Sequence, residues 1–116
     1  MGTPNPLGFI DFSNPATWES WLERNYNQQE EIWLRIAKKG AGMISITISE
    51  ALDVALCYGW IDSHRKTFDQ HYYLQRYSPR RSKSSWSMAN LNKAEKLMET
   101  GRMKEHGYAQ IRLANT

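Results

Sequence analysis

The chain has 116 residues, 41% of them hydrophobic and 23% charged, with a net charge of +3. That length suits one packed core and is too short for two, and the composition is that of a globular protein rather than a disordered one. A single cysteine excludes an intrachain disulfide and a thiolate zinc knuckle, no apolar run approaches the ~18 residues of a membrane span, and Met1 to Phe12 lacks the features of a secretory signal.

A soluble, cytoplasmic domain over residues 1–116, not inserted in a membrane, is therefore expected, and its elements can be read in chain order. Phe9–Phe12 is a short apolar stretch ending in the turn Ser13-Asn14-Pro15. Asn14 suits an N-cap and Pro15 the first helical position, and Trp18, Trp21, Leu22 and Tyr26 follow at helical spacing, which predicts a helix over 15–27. From Glu31 to Lys38, Ile32, Leu34 and Ile36 alternate with Trp33, Arg35 and Ala37, the period of a strand with one core face. Lys38 to Gly42 reads as a turn. Thr47-Ile-Ser-Glu50 matches a capping box and opens a helix over 48–58 that ends at Gly59. Within it, Cys57 reads as a small buried hydrophobe.

Trp60–Thr67 and Tyr72–Tyr77 are β-prone runs joined as a hairpin, with Pro79 expected to end the second strand. A loop of Arg, Lys and Ser over 80–87 precedes a helix whose stripe is Leu91, Ala94, Leu97 and Met98, stopped at Gly101 and started by Ser85 or Ser87. A last helix over 104–114 contains Gly107, which costs about 1 kcal/mol against alanine in a helix interior. The expected fold is α+β, a three-stranded, mostly antiparallel sheet with helices packed on one face.

Charge is unevenly spread. Residues 1–59 hold four Lys/Arg against seven Asp/Glu, whereas residues 60–90 hold six (Arg65, Lys66, Arg76, Arg80, Arg81, Lys83) against Asp62 and Asp69. The same middle quarter carries Trp60, Tyr72, Tyr73, Tyr77 and Trp86. Basic side chains among aromatics suit anionic partners; equally, Lys and Arg stems can simply cover rings on a solvated hairpin.

Several pieces together resemble a known family. Trp18-x-x-Trp21-Leu22, Ile32-Trp33-Leu34, Ala51-x-x-x-Ala55-Leu56-x-x-Gly59-Trp60-Ile61-Asp62, Gln75-Arg76-Tyr77-Ser78-Pro79-Arg80-Arg81, Ser84-x-Trp86-Ser87-x-x-Asn90 and Leu97-x-x-x-Gly101-x-Met103 are similar to the bacterial YdeI/OmpD-associated proteins, also called bacteriocin-protection proteins. The similarity covers about residues 15–107. It implies a bacterial protein linked to tolerance of bacteriocins and cationic antimicrobial peptides, with no established enzymatic activity.

The candidate site is the basic, aromatic middle: Trp60, Asp62, Lys66, Arg76, Arg80, Arg81, Ser84, Trp86, Ser87 and Asn90. Guanidinium groups grip carboxylate or phosphate with forked donors, and a serine-capped helix start offers free N–H groups to an anion. The expected activity is non-catalytic recognition of an anionic small molecule or envelope component. The plainer reading has Arg76 or Arg80 paired with Asp62, Ser87 acting only as a cap and Trp86 plugging the core. Nucleic-acid binding is the alternative partner class, since charge and aromatics permit it. A small hydrolase or transferase using Asp62 and His64, two residues apart on one side of a strand, is another. A protein-partner adaptor is a further one. Neither a glycine-rich phosphate loop, nor a dinucleotide fingerprint, nor a metal-ligand spacing is present, so no cofactor or metal is expected. Trp18 and Trp21 read as core, and Trp33, opposite Ile32 and Leu34, as the exception.

Overall fold

A computed structural model describes residues 9–80 and 87–114, with side chains through Ile111. Among them the order is β1 (Phe9–Asp11), α1 (Pro15–Asn25), β2 (Ile32–Ala37), α2 (Ile48–Cys57), β3 (Trp60–Thr67), β4 (Tyr72–Pro79), α3 (Met88–Glu99) and α4 (Glu105–Ala114). The fold is α+β. The sheet has four strands in the order β1-β2-β4-β3 and is mixed, which corrects the three-stranded expectation. The additional strand is Phe9-Ile10-Asp11, running parallel to β2 with Ile10 opposite Leu34. Three residues are too few to show a period, and their partner lies more than twenty residues ahead.

Local chemistry sets the helix starts. The Asn14 side chain accepts from the Thr17 amide at 3.0 Å, with Pro15 next to it. Thr47 and Glu50 exchange both bonds of the capping box, at 3.0 and 3.1 Å. Ser87 caps α3 by accepting from the Asn90 amide at 3.1 Å. β4 runs to Pro79, the residue expected to end it. Pairing with β2 has already ended there, at Ile32 opposite Tyr77, so no β2 carbonyl lacks the proline's missing N–H.

One sheet face carries Ile10, Ile32, Leu34, Ile36, Gln75 and Tyr77, all buried. Against it stands an aromatic chain from α1 and the strand ends. Trp18 lies 5.4 Å from Phe12, 5.7 Å from Trp21 and 5.5 Å from Tyr77 between ring centres, and Trp21 meets Trp60 edge-on at 5.9 Å. The polar ends of these rings are bonded: Trp18 Nε1 donates to the Ala51 carbonyl and Trp60 Nε1 to that of Tyr26. α3 and α4 pack on α2. α4 reaches it through Gly107, where an added Cβ would stand 2.6 Å from the Cys57 carbonyl oxygen and 2.8 Å from that of Leu56. The glycine that weakens α4 as an isolated helix is thus what lets it dock.

Candidate functional site

The structure divides the expected site residues between the two faces of the sheet. Trp60 is fully buried on the inner face, so it is a core residue and no wall for a ligand. Asp62, half-buried, lies opposite Tyr77 on that face. Arg76 is opposite Trp33 on the outer face. There its guanidinium meets Glu31 at 3.4 Å and donates to Ser63 Oγ at 3.0 Å. Thus Glu31, not Asp62, is its acidic partner, and this contact holds the Glu31 carboxyl below its usual range, with the Trp33 indole helping. Lys66 Nζ sits 4.8 Å from the centre of the Trp33 ring. Arg80 is buried, its amide donating to the Gly59 carbonyl, and burial lowers the pKa of its guanidinium. Ser87 and Asn90 are engaged with each other in the α3 cap. Arg81, Ser84 and Trp86 lie outside the described residues. Trp60, Asp62, Lys66, Arg76, Arg80, Ser87 and Asn90 line none of the hollows at the β2–α2 connection, beside α3, at the start of α4 or beside Asp11.

The Asp62–His64 pair is undone by a bulge. Register shifts between Asp62, opposite Tyr77, and Arg65, opposite Gln75, so three steps on β3 match two on β4. Arg65 therefore replaces His64 on the Asp62 side. His64 is exposed, and its carbonyl accepts from the buried Gln75 side chain at 3.0 Å.

Arg65 leads to a different place. Its Nε donates to Gln75 Oε1 at 2.9 Å, and its Cζ stands 4.4 Å from the centre of the Tyr73 ring. Tyr73 is in turn one wall of a hollow of about 390 Å³, within the ordinary size of small-molecule sites. The rest of the wall is the arch that joins β2 to α2. The Ser45 hydroxyl accepts from the Ala37 amide at 3.0 Å, and Ile46 donates to the Phe12 carbonyl at 2.9 Å. Between these pins the chain turns through Gly40 and Gly42, at φ +83° and +74°, a region that L side chains rarely adopt.

Lys38 and Lys39 line this hollow with Met43, Ile46, Thr47 and Ile48, so its floor is mainly apolar and its cations come from two neighbouring positions. The ion pairs described are Arg35–Asp11, Arg76–Glu31, Lys93–Asp53 and Lys104–Glu19. Lys38, Lys39 and Arg65 are in none of them. The start of α2 also faces this region, but its capping box occupies two amides and brings the Glu50 carboxylate there. Recognition of an anion would thus fall to the lysines rather than to the helix end. The sequence predicts a turn at Lys38–Gly42, and the further signal it holds is two lysines and two glycines shortly before a capped helix.

Among the described residues, no helix is long and apolar enough to cross a membrane, and no group of three His, Cys, Asp or Glu is placed to hold a metal ion. No curated protein and no solved structure matches the chain. A family model does match, over residues 10–110, nearly the full extent of the sheet and helices just described, and the chain belongs to that family, a domain of unknown function designated DUF8412.

Proposed function

We propose that this is a non-catalytic binding domain for a small anion with an apolar body, such as a carboxylate or phosphate ester carrying several carbons. The observation that carries the reading is the hollow of about 390 Å³ beneath the 38–46 arch, where an apolar floor meets Lys38 and Lys39 and the Tyr73 ring beside Arg65. The apolar body would sit against Met43, Ile46 and Ile48, losing contact with water, while the two ammonium groups hold the charged end. The expected class of ligand is retained from the sequence, and its place moves from the 80–90 loop to the β2–α2 arch. Kinship with bacteriocin-protection proteins rests on the shared motifs, and tolerance of antimicrobial peptides is the setting it would imply.

The test is a titration of isotopically labelled protein with phenyl phosphate and hexanoate, against phenol and hexanol. The anions are expected to shift the amides of residues 37–48 and Tyr73. A double variant, Lys38→Gln with Lys39→Gln, should weaken them about thirtyfold, since each exposed charge pair contributes about 1 kcal/mol at contact and two are lost. Equal binding of the neutral analogues, or no shift at millimolar ligand, refutes the reading. Shifts confined to Ser87–Asn90 would return the site to the loop.

A further inference from the structure

We propose that a second hollow, between the C-terminal ends of α1 and α2 and the start of α4, binds a small organic ammonium ion. It encloses about 230 Å³ and is lined by Glu23, Tyr26, Tyr58, Lys104, Glu105 and His106. None of these residues lines the arch hollow, so this inference stands apart from the anion reading.

Three rings meet there. Tyr26 is the common neighbour, its centre 6.0 Å from that of Tyr58 at 48° and 5.1 Å from that of His106 at 49°. The electron-rich faces of such rings attract alkylated ammonium groups, whose charge is spread over carbons and is weakly hydrated; Tyr26 and His106 are half-buried at the hollow and Tyr58 is buried. His106 can approach so closely because residue 59 is glycine: a Cβ there would stand 2.7 Å from His106 Cδ2.

The electrostatics agree in sign. Lys104, the one lysine in the lining, stands 3.9 Å from Glu19, which also accepts the Tyr58 hydroxyl at 3.1 Å. Glu23 takes part in none of the described ion pairs and is exposed at the rim. Tyr26 and Tyr58 are the C-caps of α1 and α2, so two negative helix ends face the hollow. The positive end of α4 opposes them, with Glu105 in its first turn. Sequence reading could not assemble this set, because its rings come from positions more than thirty and forty residues apart.

The experiment compares choline with 3,3-dimethylbutanol, which has the same shape and no charge, near neutral pH and at low salt. Choline is expected to shift the ring signals of Tyr26, Tyr58 and His106, and the neutral analogue is not. Glu23→Gln, an exposed change that leaves the fold intact, should weaken choline about fourfold, the value of one charge across roughly 5 Å of water-like dielectric. Tyr26→Leu should abolish the shifts at Tyr58 and His106. The proposal is overturned if choline moves none of these rings at millimolar concentration, if the neutral analogue binds as well, or if Glu23→Gln binds choline unchanged.

Discussion

Gly107→Ala reverses the usual arithmetic of a helical glycine. Helix propensity alone favours alanine by about 1 kcal/mol. In this fold the new methyl would stand 2.6 Å from the Cys57 carbonyl oxygen and 2.8 Å from that of Leu56, and would also meet Met103 Sδ. The sulfur sits on a flexible side chain and can move away. The two carbonyl oxygens belong to the last turn of α2, whose neighbours Ala55, Leu56 and Tyr58 are all buried. The Cys57 carbonyl also accepts the Lys104 amide at 3.0 Å, so the backbone there has little room to retreat. Overpacking of this kind costs about 1–3 kcal/mol. After the propensity gain is subtracted, the net is a loss of up to roughly 2 kcal/mol, or a drop in Tm of up to about 8 °C at about 4 °C per kcal/mol for a domain of this size. Ala109→Gly, two residues on, loses about 1 kcal/mol by propensity. Both substitutions should therefore destabilise in thermal and urea melts, although propensity assigns them opposite signs. A Gly107→Ala protein more stable than the parent would refute the docking of α4 on α2.

Two further predictions concern buried groups. The Tyr77 hydroxyl is buried and has no hydrogen-bond partner among the described residues. Removing an unsatisfied hydroxyl relieves a desolvation cost of about 1–3 kcal/mol, so Tyr77→Phe should melt at the same temperature or higher. A fall exceeding about 1 kcal/mol would show that the hydroxyl is bonded after all, through internal water. Burial pushes the Cys57 thiol up to about 11, from an ordinary value of 9.0. Between those values the unfolded chain has lost the proton that the folded one keeps, so stability falls by roughly 2–3 kcal/mol as pH rises from 9 to 11. Urea melts across that range should show the slope, and Cys57→Ala should flatten it. Burial raises Tyr58 and Tyr77 in the same direction, extending the loss to higher pH. An unchanged slope in Cys57→Ala would refute the assignment.

What was legible in the sequence follows the range of the interaction that causes it. The starts of α1, α2 and α3 are set by side chains three residues from the amides they satisfy, and Asn14, Thr47 and Ser87 announce them. The core face of β2 is written in Ile32, Leu34 and Ile36, because a strand alternates with period two. β1 was not legible, since three residues become a strand only when β2 lies beside them. The bulge was hidden for the same reason. Nothing in Asp62-Ser-His-Arg65 marks it, yet it decides that Arg65 rather than His64 shares the face of Asp62. Arg76 could be recognised as a cation from the sequence, but its neutralisation by Glu31 crosses from β4 to the residue before β2.

The excess of positive charge between residues 60 and 90 is a property of the chain, and folding redistributes it. Arg76 is matched by an acid from the negative first half, while Lys38 and Lys39, which belong to that half, form no ion pair among the described residues and share a hollow with Tyr73, the ring under Arg65. Thr47 and Ile48 line the basic hollow, and Tyr58 lines the aromatic one, so the two lie at opposite ends of α2. Ten helical residues separate those ends by about 15 Å, longer than the ~10 Å over which 0.1 M salt screens charge. Each hollow therefore responds to its own neighbours rather than to the net +3. The dipole of α2 points the same way, positive toward the lysines and negative toward Tyr26 and His106, so one helix favours opposite charges at its two ends.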